Sequence, residues 1–199
     1  MKNRKRNRMK GYDYSSNNLY FVTSCVKDRV CCFGNIVGTG RDLSAHDLSA
    51  NDLSAHDLSV PDLPVPKNDD NPSAIMILNE FGKIVNNQLQ WLENQYPYVV
   101  LHHYIVMPNH VHAIIEIDSI MVGTGRDLSV QKIKSVSELI GAFKTTSSKL
   151  IHLAGYSDFE WQRSFHDHII KDEKAYLNIS NYIEANPERW KEDKFHKTL

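Results

Sequence analysis

YVVLHHYIVMPNHVHAIIEI, residues 98–117, is the stretch of this 199-residue chain that decides the fold. Residues 98–107 are a β-branched and aromatic run, "PNH" is a tight turn, and "HVHAIIEI" (110–117) is a second run, so the two pair as a hairpin. On a strand, alternate side chains share a face. Val111, Ala113, Ile115 and Ile117 therefore form one wholly apolar face, which must meet the core helices. His110 and His112 share the other face with Ile114 and Glu116, turned away from those helices and available to a metal ion.

Working outward, "LYFVTSCV" (19–26) alternates Leu19, Phe21, Thr23 and Cys25 against Tyr20, Val22, Ser24 and Val26, and reads as a strand. Residues 74–94 put Leu78, Phe81, Val85, Leu89 and Leu92 on one helical stripe. Ser135 and Glu138 make a capping box that opens a helix carrying Val136, Leu139, Ile140, Phe143 and Leu150. "SFHDHII" (164–170) is a fourth strand. Asp172 and Glu173 open a last helix, where negative charge favours the positive end, and Pro187 helps to close it. The order β-α-β-β-α-β-α predicts the α+β class: a ferredoxin-like, four-stranded antiparallel sheet (βαββαβ) with two helices on one face, plus a C-terminal helix.

The length fits one domain over 1–199, and 41% apolar residues suffice for a core. No run approaches the roughly 20 apolar residues that cross a bilayer. The opening "MKNRKRNRMK" leads into "GYDYSSNN" and not into an apolar segment, so it does not read as a secretory signal. Cys25, Cys31 and Cys32 are a poor disulfide framework and fit a reducing, cytoplasmic setting. Charge is uneven. Residues 37–72 hold seven Asp against Arg41 and Lys67, a net of −5 in a chain of net −1, which leaves +4 on the remainder. A basic body with a basic arm suits a polyanion partner, and equally a solvated tail on a neutral enzyme.

Residues 41–66 repeat Asp-Leu every five positions. A pentapeptide β-helix does not fit. Only about five units are present, too few to stack a core, and His46, Asn51 and His56 stand where a small residue is needed. The composition predicts a disordered surface loop over 38–72. "VGTGRDLS" occurs at 37–44 and again at 122–129, which marks 121–131 as a second short insertion.

A histidine pair at i, i+2 is by itself compatible with ordinary packing or surface roles; a metal site needs a third ligand and a reactive group on the same face. In "NYIEANP" (181–187), Tyr182 and Asn186 stand four apart beside the apolar stripe Tyr176, Ile179 and Ile183. A helix that buries this stripe can turn both towards the histidines. Read singly, Tyr182 is a core-edge tyrosine and Asn186 a helix C-cap.

On four motifs in this order the chain resembles the single-tyrosine HUH transposases of insertion sequences, and among them the REP-associated tyrosine transposases. They are "MPNHVHAII" (107–115), "LIGAFK" (139–144), "WQRSFHDHII" (161–170) and "YIEANPERW" (182–190). The resemblance spans about 19–36, 74–120 and 135–190. It implies a single HUH domain in which His110, His112 and Asn186 hold Mg²⁺ or Mn²⁺ and Tyr182 is the nucleophile, with Tyr176 a rival lacking the following Asn. It further implies cleavage and rejoining of single-stranded or hairpin DNA through a 5′-phosphotyrosine. Family members use the tyrosine helix either within one subunit or in a dimer, and the REP-associated branch points to a monomer acting in cis. Lys144, Trp161, Gln162, Arg163 and the basic arm are candidate DNA contacts. Each also has a plainer reading: Trp161 as core, Lys144 and Arg163 as solvated cations. His166 and His168 share a strand face and are read as structural or as part of the DNA surface. The alternatives are a domesticated hairpin-binding protein that no longer cuts, and a metal-dependent small-molecule hydrolase that binds Zn²⁺ tightly.

If the low-complexity segment is a tolerated insertion, deleting 38–72 leaves the folded domain nearly as stable as the full chain. A thermal melt followed by circular dichroism checks this; collapse of the cooperative transition would refute it.

Overall fold

The computed structural model describes residues 11–38, 74–119 and 132–196. Beyond Gly38 the first repeat insertion lies outside these, as do the second insertion and the basic arm. Four strands form the main sheet: β1 (Asn18–Cys25), β4 (Val99–Val106), β5 (His110–Ile117) and β6 (His166–Ile170). Their order is β4-β5-β1-β6 and every pairing is antiparallel. Helices α1 (Glu80–Gln95) and α2 (Val136–Leu153) connect them, and α3 (Glu173–Glu184) follows β6. This is the split βαβ closure expected of a ferredoxin-like sheet.

The alternation in β1 and β5 divides two cores. Tyr20 and Val22 from β1, with Val111, Ala113, Ile115 and Ile117 from β5, pack under Val85, Leu89 and Leu92 of α1 and Leu139, Ile140 and Phe143 of α2. On the opposite face Ile114 and Ile170 meet Ile179 and Ile183 of α3, with Leu19, Phe21 and Ile105 at the margin. Both sheet faces are therefore covered, and the histidine face lies beneath α3. Helix caps follow the sequence signals. Ser135 and Glu138 complete a reciprocal capping box, and the Asp172 carboxylate accepts from Ala175 N at 2.8 Å.

Three boundaries depart from expectation. Residues 74–78 do not begin the first helix: β3 (Ile75–Leu78) pairs with β2 (Gly34–Val37) as a separate antiparallel ribbon, and Asn79 caps α1 by accepting from Gly82 N at 2.9 Å. Leu78 continues the α1 stripe in phase, so periodicity alone could not end the helix there, and its strand partner lies across the insertion. In α2, Ile151 takes the buried position and Leu150 is exposed. The fourth strand starts at His166, not at 164.

One irregularity positions α3. Leu101 pairs with Ile115 and Tyr104 with Ala113, so His102 and His103 together occupy the place of one residue, a β-bulge. His102 Nε2 donates to Glu116 Oε2 at 2.7 Å, and its Nδ1 lies 3.3 Å from the Tyr176 hydroxyl of α3. His103 Nδ1 meets Glu184 Oε1, at the far end of the same helix, at 2.9 Å. The bulge thus ties both ends of α3 to the edge strand. Among the described residues no helix is long and apolar enough to cross a membrane, and Cys25, Cys31 and Cys32 are unbridged.

Gly82 sits where α1 crosses the loop before β2, and a Cβ there would stand 2.1 Å from the Phe33 carbonyl oxygen. Gly→Ala within a helix ordinarily stabilises by about 1 kcal/mol. Here backbone overlap reverses the sign, and Gly82→Ala is expected to cost about 1–3 kcal/mol, measurable as a lowered urea midpoint.

Candidate metal and nucleophile site

β5 brings His110 and His112 onto one face, and α3 lays Tyr182 across it. The two imidazoles are buried with their Nε2 atoms 3.0 Å apart. The Tyr182 hydroxyl is 3.3 Å from His112 Nε2, with ring centroids 5.2 Å apart. Phe21 stacks on His112 and meets Tyr182 edge-on, so the three rings form one cluster. Asn186 follows the last turn of α3 and is buried. Its Nδ2 donates to Asp193 Oδ2 at 3.3 Å, while its carbonyl oxygen is buried without a hydrogen-bond partner.

The chain beyond α3 folds back over this face. A 3-10 turn (Trp190–Glu192) leads to Asp193, whose Oδ1 accepts from Phe195 N at 2.6 Å. The Phe195 ring lies 4.7 Å from that of His110 and 5.9 Å from that of His112. Among the described residues, His110, His112 and Asp193 form a metal-competent group, with one ligand atom from each lying within 4.8 Å of the others. Two imidazole nitrogens, a carboxylate and an orphaned amide oxygen are a donor set that suits a divalent cation. The buried Asn186 oxygen has no hydrogen-bond partner and could serve as a further donor to such an ion.

Each histidine is also held from behind. His110 Nδ1 bonds Asn109 Oδ1 at 2.8 Å, and His112 Nδ1 bonds Thr23 Oγ1 at 2.8 Å. Asn109 is itself fully buried, and its Nδ2 donates to the carbonyls of Arg29 (3.0 Å) and Phe195 (2.9 Å). Arg29 has φ of 56°, a left-handed backbone rare for its residue type, and its guanidinium donates to the Lys194 carbonyl at 2.6 Å.

Burial keeps the imidazoles and the phenol of this site neutral. It pushes His110 down to about 3, helped by Lys194 and Arg29. His112 is also held well below its ordinary value by burial, then by His110 and Lys194. Burial and the neighbouring Asp193 charge push Tyr182 up to about 12, partly offset by a hydrogen bond from Asn186. The imidazoles are therefore neutral, the form in which they could coordinate a metal, and the phenol is held in its protonated form.

The structure brings together four residues read from the sequence: His110, His112, Tyr182 and Asn186. Sequence reasoning missed Asp193, Asn109 and Thr23. Asp193 lies in the charged run "KEDK" with no periodic signal, whereas Asn109 and Thr23 flank the histidines through turn and register. The candidate DNA contacts lie elsewhere. The Trp161 indole sits in the core between Phe33, Phe143 and Phe159 and donates to Ser147 Oγ at 3.0 Å. Of the two readings the sequence allows for Trp161, this packing matches the core one. Lys144 Nζ is tied to the carbonyls of Gln162 (2.8 Å) and Ser164 (3.0 Å), and burial lowers it to about 8. Gln162 N donates to the Cys25 carbonyl, and Cys25 pairs with His110 across the sheet. The Gln162–Arg163 segment therefore runs one strand from the histidines, with Arg163 exposed.

No protein-family model matches the chain. A protein of uncharacterised function from Haemophilus influenzae strain Rd is 28% identical over 198 residues, which is 95% of this chain and 91% of that one. Among solved structures, a REP-associated tyrosine transposase bound to a REP hairpin is 15% identical with a TM-score of 0.47, covering 90% of this chain and 73% of its own. A protein assigned as a transposase, from Deinococcus radiodurans R1, is 14% identical with a TM-score of 0.43, covering 89% and 95%.

The buried histidines make stability depend on pH. A group whose folded value is depressed contributes stability above its unfolded value of 6.5, and that stability is lost as pH falls towards the folded value near 3. Between pH 7.5 and pH 5, in EDTA, His110 alone accounts for a loss of about 2 kcal/mol, with His112 adding in the same direction. Urea midpoints at the two pH values check this, and His110→Gln should flatten the dependence.

Proposed function

We propose that the chain is a transposase that cleaves and rejoins single-stranded or hairpin DNA through a covalent tyrosine intermediate. One observation carries this reading. The Tyr182 phenol lies on a buried imidazole pair beside an orphaned amide oxygen, the constellation implied by the four-motif resemblance to REP-associated tyrosine transposases. His110, His112 and Asn186 would hold the ion. When bound, Mg²⁺ or Mn²⁺ polarises the scissile phosphodiester and neutralises its developing charge. Imidazoles alone would also suit Zn²⁺, and the resemblance favours the harder ions.

Tyr182 Oη attacks phosphorus and gives its proton to the adjacent Asp193 carboxylate. A Tyr–O–P bond forms, the P–O3′ bond breaks, and the released 3′ oxygen takes up a proton from solvent. One strand end remains as a 5′-phosphotyrosine. Because the ester bond is conserved, a second 3′-OH can attack the same phosphorus, return the phenol and join strands without an external energy source. α3 and Phe21 fix the phenol, and Phe195 keeps bulk water from the imidazoles. The DNA approaches along Gln162 and Arg163, with Lys144 holding that segment in place. A monomer using its own α3 suffices for this arrangement.

Incubation of the protein with end-labelled hairpin DNA and Mn²⁺, followed by a denaturing gel, is expected to show a covalent protein–DNA adduct. Tyr182→Phe abolishes the adduct, and His112→Ala reduces it at least 100-fold. Uncut but retarded DNA would point to a hairpin-binding protein, and neither signal to a small-molecule hydrolase.

A further inference from the structure

The hydrogen bonds around the histidines admit one consistent placement of protons, and it treats the two rings differently. The Asn109 side chain faces two backbone carbonyls, those of Arg29 and Phe195. Carbonyls only accept, so the amide nitrogen must point at them and the amide oxygen at His110. That oxygen also only accepts, so the proton of neutral His110 sits on Nδ1 and its Nε2 presents a lone pair. Across 3.0 Å stands His112 Nε2. Two lone pairs would repel at that distance, so His112 Nε2 carries a proton and donates it to His110. The Nδ1 of His112 is then bare and accepts from the Thr23 hydroxyl at 2.8 Å.

The chain of donors therefore runs from Thr23 through His112 and His110 to Asn109, and ends on the two carbonyls. His110 is set as a ligand in advance. His112 is not, because coordination through its Nε2 requires that proton to move to Nδ1. The group facing Nδ1 must then change from donor to acceptor, which a hydroxyl does by rotation.

From this we propose that Thr23 and Asn109 are positioning residues of the metal site: Asn109 locks His110 in the ligating tautomer, and Thr23 is the two-way partner that lets His112 switch into it. This rests on the metal reading given above. An amide, a carbonyl or an apolar group at position 23 would favour one state or support neither. Outer partners of ligating histidines commonly alter metal affinity by roughly 10- to 100-fold.

The test is ¹⁵N NMR of the histidine rings in the full chain, with Zn²⁺ as a diamagnetic probe. In EDTA, His110 is expected as the Nδ1–H tautomer and His112 as Nε2–H; with Zn²⁺, both become Nδ1–H. Thr23→Val should weaken Zn²⁺ and Mn²⁺ binding by roughly 10- to 100-fold, while Thr23→Ser restores it. A folded-state circular dichroism spectrum for both variants separates this effect from unfolding. Nδ1–H on His112 in EDTA, or unaltered affinity in folded Thr23→Val, would overturn the proposal while leaving the metal site standing. Rings that ignore added ions would overturn the metal reading itself, and Thr23's role with it.

Discussion

Apolar pressure on both faces of β5 is the constraint from which the rest follows. Val111, Ala113, Ile115 and Ile117 are drawn under α1 and α2, and Ile114 needs cover on the other side. α3 supplies that cover with Ile179 and Ile183. Once its stripe is buried there, the neighbouring position on the helix delivers Tyr182 to His112. The site is thus a by-product of hydrophobic registration, with period two in the strand and 3.6 in the helix meeting at one place. The same burial that builds the site removes water from it, which depresses the imidazoles and raises the phenol. Desolvation leaves both imidazoles and the phenol uncharged.

What could be read from the sequence follows the same division. The hairpin, the two-faced β1, the capping box and the final helix all advertise themselves through local periodicity or short-range side-chain chemistry, and each is present. Four site residues share that property, being fixed by i, i+2 or i, i+4 spacing. The remainder depends on distant partners. β3 pairs with β2 across the insertion, so nothing adjacent to Ile75–Leu78 distinguishes a strand from an early helical turn. Asp193 reaches the site because the chain doubles back, a path set by Phe195 packing on the imidazoles. Thr23 faces His112 by inter-strand register, a relation 89 residues long. Trp161 is the converse case: an aromatic in a motif reads equally as a stacking surface or as core, and its indole hydrogen bond and three ring contacts, which periodicity does not reveal, pack it in the core.

The second tyrosine on α3 illustrates how environment separates two like side chains. Tyr176 meets His102 and His103 and serves to hold the helix down, whereas Tyr182 meets the buried pair and Asp193. Only the latter lies beside a group of metal-competent donors. The Asn that follows Tyr182 by one helical turn has no counterpart after Tyr176, where position 180 is Ser, and this difference is why the proposed nucleophile is Tyr182.

The bulge at His102–His103 has an effect beyond anchoring α3. β4 is an outer strand of the sheet, and an unbroken outer strand offers its free amides and carbonyls as a template on which another chain can grow. An extra residue spoils the even spacing of those groups and twists the strand away from flatness. At the opposite margin β6 spans only His166–Ile170, too short to seed an extended ladder. The irregularity that steadies the tyrosine helix therefore also terminates the sheet, and discourages neighbouring molecules from zipping onto it.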